Sequence, residues 1–390
     1  MKRESGKYVT TSTTGERVKA FVPYPLPPKS PALKISDTTG KLLTTASENL
    51  ARLNIAGDMV PSLDWFIYAF VRKEAVLSSQ IEGTQATLVD LLRYEAEKPA
   101  KNATSPDVIE VCNYLSALTF ARSEFGKKRG LPLSMRLLNE AHKRLLKGVR
   151  GRSKGPGDVR QSQNWIGGTR PGTAAYVPPP SHHLPDLLSD LEKYIHKDNG
   201  LPPLIRAGLI HAQFETIHPY LDGNGRIGRL LVTLLLEHWG LLSSPLLYLS
   251  VFLKRHRDEY YRRLNLVRTE GDFEAWIDYF LEGVAVTAEE ATTTAQQLFT
   301  LVNTDRERLL KIKTATVPSI RVFEMLPQKP MITIGNITRA LNVTKPTAAK
   351  VVDVLTRARI LVEHSGKKRD RVFAYAAYLD ILRVDTELPT

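Results

Sequence analysis

The amino-acid sequence predicts a mainly α-helical protein with a small β-hairpin-like flap and a C-terminal α+β module. Three observations carry this expectation. Apolar residues recur at spacings of three and four through most of residues 42–300. A turn-rich stretch with short β-branched and aromatic pieces interrupts that pattern between residues 155 and 180. The last quarter alternates short helical and strand-like segments. At 390 residues and 42% hydrophobic content, the chain can bury a large core spread over two or three domains.

The first forty or so residues carry Pro23, Pro25, Pro27, Pro28 and Pro31 among Ser, Thr and Gly, which predicts an extended arm laid over the helical body. Helical patterning starts near Leu42, with residues 44–53 opening the first helix and residues 63–93 reading as a further helical stretch. The polar run at residues 97–106 suits a domain boundary. We therefore expect an N-terminal arm and helical lobe at residues 1–104, a helical core at 105–300, and a separate module at 316–390. No internal repeat is evident.

Two helices flank the most informative segment. Leu204, Ala207, Ile210, Phe214 and Ile217 lie at helical spacing, Pro202 and Pro203 suit a helix start, and Pro219 ends that helix at or near His218. The next helix begins after Gly225, is apolar on nearly every side through Trp239, and stops at Gly240, as a buried central helix would. Between them, Asp222-Gly223-Asn224-Gly225 feeds a helix N-terminus, where free N–H groups and the dipole favour an anion and glycines let it approach the backbone. Arg226 and Arg229, one turn apart at that positive end, are unfavourable there unless an anion or a carboxylate sits among them. Asp222 offers a hard oxygen suited to Mg²⁺ bridging to phosphate. His218 can serve as general base toward an incoming hydroxyl. Together these parts describe phosphoryl or nucleotidyl transfer. An EF-hand is excluded, because Ile227 and Thr233 stand where it needs a glycine and a glutamate, and no Walker phosphate loop occurs. His211, Glu215 and His218 could share one helix face, but the spacing is not that of His-Glu-x-x-His, so His211 reads as structural.

The segment from His218 to Arg229 resembles the Fic motif, His-Pro-Phe-x-Asp/Glu-Gly-Asn-Gly-Arg-x-x-Arg, with Tyr220 in place of the usual phenylalanine. The resemblance implies a Fic-type helical core that transfers AMP from Mg-ATP to a hydroxyl side chain (Ser, Thr or Tyr) of a target protein, with release of pyrophosphate. It assigns His218 as base, Asp222 as Mg²⁺ ligand, Gly223, Asn224 and Gly225 as anion hole, and Arg226 and Arg229 as phosphate-binding arginines, with Ile227 and Gly228 between them in the ATP-binding segment. Ser78-Ser79-Gln80-Ile81-Glu82-Gly83 is similar to the family's inhibitory motif, Ser/Thr-x-x-x-Glu-Gly/Asn, with Ser78 and Glu82 one helical turn apart. A carboxylate from Glu82 on Arg229 would deny that arginine to the γ-phosphate. The segment from Gly155 through Tyr176 and Val177 resembles the flap thought to hold a target's backbone by strand addition. Asp258-Glu259-Tyr260-Tyr261-Arg262-Arg263-Leu264 resembles the segment near the adenine pocket, with Tyr261 as the contact. Removal of AMP from a modified target, and other nucleotide-like donors, remain open within the family.

Residues 332–355 read as a short helix, a turn near Asn342 and a second helix after Thr344, followed by strands at 360–364 and 371–375, a winged helix-turn-helix in outline. Residues 316–375 hold eleven Lys or Arg against four Asp or Glu, a difference of +7 out of +13 for the whole chain. Such a surface fits contact with a DNA backbone, and winged helices also dock proteins or dimerise. A DNA-binding regulator whose Fic core senses nucleotide is the rival reading. Cys112 is the single cysteine, which favours a reducing compartment. The N-terminus lacks a signal-peptide stretch, and no run approaches the ~20 apolar residues that span a bilayer. The expectation is a cytoplasmic enzyme with no membrane partner, acting on a target protein that could be the chain itself, in an oligomeric state the sequence leaves open.

Overall fold

The computed structural model describes residues 3–58, 63–97, 105–125, 127–367 and 369–388. Most of the run expected as a domain boundary, residues 98–104, lies outside them, as does Lys368 in the expected wing loop.

The chain opens with an antiparallel hairpin rather than a plain arm: β1 (Gly6–Thr13) pairs with β2 (Glu16–Pro23) around Thr14-Gly15. Both turn residues have positive φ, which matches the right-handed twist of a two-residue hairpin loop. The alternation on β2 that buries Val18, Ala20 and Val22 was the overlooked signal beneath the proline count. Helix α1 (Asp37–Asp58) starts earlier than expected, because Ser36 Oγ accepts from Thr39 N at 3.0 Å and so caps it. The expected helical stretch at 63–93 divides into α2 (Leu63–Ile81) and α3 (Leu88–Glu97). Gly83, at φ 90°, ends the first, and Thr87 with Asp90 caps the second.

Helices α4 (Pro106–Phe125), α5 (Met135–Leu145) and α6 (Leu184–His196) precede the central pair α7 (Pro203–Ile217) and α8 (Asn224–His238). Then come α9 (Ser250–Arg255), α10 (Arg257–Glu270) and the long α11 (Phe273–Leu310), which runs past the expected core limit at residue 300. Helix α8 is buried over most of its length and packs on α7, α2, α4 and α5, while α11 packs along α1 and α7. Gly208 lets α7 and α11 approach closely enough for Trp276 Nε1 to donate to its carbonyl at 2.8 Å.

The last quarter contains α12 (Val317–Met325), β3 (Met331–Thr333), α13 (Ile334–Leu341), α14 (Lys345–Arg357), β4 (Val362–Glu363), β5 (Val372–Ala374) and α15 (Ala376–Leu382). The strands form an antiparallel sheet in the order β3-β5-β4, so Ile332 and Thr333, expected in a helix, pair with Phe373 and Val372 instead. Thr333 and Asn336 then form a capping box for α13, Asn342 ends that helix at φ 51°, and Thr344 caps α14. Helix α15 packs on α11, and β3 on α3. Among the described residues, no helix is long and apolar enough to cross a membrane.

Candidate active site

Pro219 stops α7 as expected: His218 caps it at φ 50°, its N–H reaching Phe214 O at 2.9 Å. The loop that follows is tied internally. Tyr220 N donates to Asn224 Oδ1 at 2.8 Å and Asn224 Nδ2 returns a bond to Tyr220 O at 2.8 Å, while Gly223 adopts φ 80° at the N-cap of α8. The Asn224 side chain therefore shapes the loop, and what points outward is the unpaired N–H array of the first turn of α8. Tyr220 stacks on His142 with ring centroids 3.9 Å apart, and its hydroxyl donates to Asn139 Oδ1 at 2.8 Å, which accounts for tyrosine where phenylalanine is usual.

The His218 ring carries no hydrogen bond at Nδ1. Burial, and then the Arg160 guanidinium, lowers its pKa to about 4, so the imidazole is neutral near neutral pH and keeps a lone pair for a proton. Arg160 Nε holds the His218 carbonyl at 2.9 Å and its Nη2 holds Pro179 O at 2.6 Å, pinning the residue beside the flap segment. Asp222 is partly open, at 32% exposure, with Oδ1 3.3 Å from Arg226 Nη2, and its carbonyl accepts from His142 Nε2 at 2.9 Å. Gly157 N donates to His142 Nδ1 at 2.9 Å, which fixes the tautomer with the proton on Nε2. Among the described residues no three potential ligands cluster as a protein-built metal cage. A single carboxylate oxygen fits a Mg²⁺ that completes its shell from phosphate oxygens and water.

The two arginines part company. Arg226 is fully buried, with Nη1 3.2 Å from Glu110 Oε2 on α4. Arg229 Nε donates to Ser78 Oγ at 2.9 Å, and its Nη2 to Ser78 O at 2.8 Å and Glu82 Oε1 at 2.7 Å. Burial opposes the charge on Glu82, but Arg229, with smaller help from Arg226 and His218, more than offsets this and holds its pKa below the ordinary value. Glu82 lies one residue beyond α2, its N–H on Ser79 O at 3.0 Å, so it is aimed by the helix end rather than from a regular turn. Its Oε1 abuts Gly225 so closely that a side chain there would collide. A carboxylate thus sits at the positive end of α8, where an anion was expected.

Gly83 follows in open space, Ile227 is a core residue, and Gly228 makes room for the Glu215 carboxyl on α7. Glu215 Oε1 is buried without a partner, and burial raises its pKa to about 7. Tyr261, 41% exposed, stands open beside the fully buried Tyr260, whose hydroxyl meets His211 Nε2 at 2.9 Å. His211 Nδ1 faces Gly228 O at 3.2 Å, so this histidine is structural, as its spacing suggested.

The expected flap is not a paired hairpin. Ile166 and Tyr176 form an isolated bridge, using both backbone groups of each, and Val177 O accepts from Phe21 N of β2 at 3.0 Å. Tyr176 is buried, its hydroxyl on Thr216 O at 2.6 Å, and Val177 packs against Val18 and Ala20. Glycines at 167 and 168, both at positive φ, and the short helical turn Pro171–Thr173 prevent a longer ladder. Glu110, His142 and Arg160 had no assigned role in the sequence, although Arg160 lay in the flap fragment, and Glu215 was considered only as a possible ligand on one helix face with His211 and His218.

Residues 40–123 match the Fic/DOC family N-terminal model and residues 132–236 the Fic/DOC family model. The chain is 27% identical over 251 residues to the protein adenylyltransferase Fic of Drosophila willistoni, covering 62% of this chain and 47% of that one. It is 26% identical over 283 residues to a probable protein adenylyltransferase of Aquifex aeolicus, covering 64% and 82%. The match thus spans about half the length of the insect relative. Among solved structures, a Fic family protein from Desulfovibrio desulfuricans G20 superposes with a TM-score of 0.57 at 19% identity, covering 88% of this chain and 97% of that one. Fic-1 from C. elegans superposes with a TM-score of 0.52 at 22% identity, covering 68% and 74%.

Proposed function

This chain belongs to the Fic/DOC family, and from that premise we propose that it is a self-inhibited protein adenylyltransferase using Mg-ATP. The observation that carries the proposal is the 2.7 Å contact between Glu82 and Arg229 at the N-terminus of α8, within the same site as a neutral His218. His218 takes the proton of a target hydroxyl as that oxygen attacks the α-phosphorus. The bond to the β-phosphate oxygen breaks and pyrophosphate leaves. Gly223, Asn224 and Gly225 present backbone N–H groups to the phosphates, Arg229 serves the γ-phosphate, and Arg226 holds Asp222, the residue that would ligate Mg²⁺ and so bring charge neutralisation to the phosphates. Tyr261 flanks the adenine. Tyr176 and Val177, whose backbone groups are engaged by Ile166 and by Phe21 of β2, anchor the flap that registers the target rather than offering it an open strand edge.

Incubated with labelled ATP and Mg²⁺, Glu82→Gly protein labels itself or a partner, and adding His218→Ala abolishes the labelling. Undiminished labelling in the double variant would remove His218 from the role of base. With ADP-ribose-type or diphosphate donors in place of ATP, labelling stays at background.

We further infer that residues 316–390 form a winged helix-turn-helix module and that the protein is cytoplasmic. Exposed Lys345, Lys350 and Arg357 on α14 and Arg369 and Arg371 beside β5 support DNA as its partner. Binding of duplex DNA by the full chain should weaken steeply with salt and vanish on truncation near residue 315. Equal binding by the two proteins would point the module toward protein docking.

A further inference from the structure

The inhibitory segment has two sides, and only one faces Arg229. Gln80, between Ser78 and Glu82, points the other way. Its Nε2 donates to Ala86 O and to Thr386 O, both at 2.8 Å, and its Oε1 accepts from Lys254 Nζ at 2.7 Å. Lys254 also donates to Asp385 O at 2.8 Å. The neighbouring Arg255 grips the Asp385 carboxylate through two bonds of 3.0 and 2.6 Å and reaches Glu290 on α11 at 2.6 Å. Asp385 stands at φ 68°, a left-handed conformation that non-glycine residues rarely adopt, so the turn is held by these partners rather than by its own preference. Thr386 is wholly buried, its hydroxyl bonded to Arg383 O at 2.7 Å. The turn at residues 383–387 follows α15 directly, and α15 buries Tyr378, Leu379 and Leu382.

We propose that this turn is a latch: Gln80 and Asp385 are positioning residues that keep Glu82 on Arg229 through contacts made behind the inhibitory segment. The proposal rests on Glu82 being inhibitory. Gln80 spans the break after α2, tying the last helical turn to Ala86 and to the latch at once, so Glu82 between them has little freedom to withdraw. Release of the 383–387 turn frees the segment that carries Glu82 and leaves the machinery around His218 untouched. Because the turn continues from the C-terminal module, anything that shifts α15 is thereby coupled to the occupancy of Arg229.

The test uses the full chain with labelled ATP and Mg²⁺, in wild type and in Glu82→Gly protein, with amide hydrogen exchange over residues 78–87 as a second readout. Asp385→Ala and Gln80→Ala should each raise labelling severalfold over wild type and speed exchange at residues 82–87. Asp385→Glu, which keeps the pair with Arg255, should restore wild-type behaviour. Neither alanine variant should add to the labelling of Glu82→Gly. Wild-type labelling with unchanged exchange in both alanine variants would overturn the latch, as would an equal increase in the Glu82→Gly background. If Glu82→Gly itself labels no better than wild type, it is the inhibitory reading that fails, and exchange alone then decides the latch: faster exchange supports the mechanical link, and unchanged exchange overturns it.

Discussion

Arg226 meets Glu110, whose side chain is 1% exposed, whereas Arg229, three residues further along α8, meets Glu82, whose side chain is 31% exposed. Both guanidiniums are buried. Glu110 comes from the second turn of α4 and also accepts a bond from Thr84 Oγ1 at 3.0 Å. Glu82 comes from a chain break beyond the end of α2, with one oxygen on Arg229. One pair is wholly buried with a further bond from Thr84, and the other joins a buried cation to a partly exposed carboxylate. The difference teaches that burial of an arginine does not by itself describe its setting; the exposure and bonding of its partner differ between the two.

The largest expected effect breaks the wholly buried pair. Arg226→Met strands Glu110 in the core and should lower the unfolding free energy by about 3–5 kcal/mol in urea denaturation, while the joint change with Glu110→Leu recovers most of that loss. Glu82→Gly should cost only about 1 kcal/mol, since its carboxylate is partly solvated and Arg229 keeps both bonds to Ser78. Similar costs for the two would erase the distinction.

A smaller effect sharpens the surroundings of Arg229. Glu215 lies near it without a hydrogen bond at Oε1, and burial lifts its pKa to about 7 from an ordinary 4.5, with the charge on Glu82 adding to the rise and Arg229 and Arg268 opposing it. The folded state therefore binds the extra proton between those values, and stability from this group is lost as pH rises from 4.5 through 7. Above that window the loss is on the order of 3 kcal/mol. Glu215→Gln removes the titration, so its melting temperature should gain on wild type as pH goes from 5 to 8. A gap that stays constant with pH would place the Glu215 proton elsewhere. The smallest expected effect is at Tyr220→Phe, which gives up the bond to Asn139, should cost about 1 kcal/mol, and should leave labelling by Glu82→Gly protein intact.

The site was legible because its residues are contiguous: Pro219 fixes where α7 ends, and Asp222 to Gly225 fixes where α8 begins, both by local backbone chemistry. The two arginines were recognised as an anomaly needing a negative partner, but not that each would find a different one, since Glu110 is an unremarkable residue in a helix far upstream. The break after Ile81 was missed because apolar spacing continues across Gly83 into α3. The hairpin β1–β2 was missed because five prolines outweighed a short alternation. The buried His142 behind Tyr220 left no mark in the sequence, as its role depends wholly on a stacking distance.

The measurement closest to the centre is transfer of label from ATP by wild type and by Glu82→Gly protein, side by side, with Mg²⁺ at equal protein concentration. If Arg229 is contested between Glu82 and the γ-phosphate, the variant labels about tenfold or more above wild type. Equal labelling by the two would contradict it.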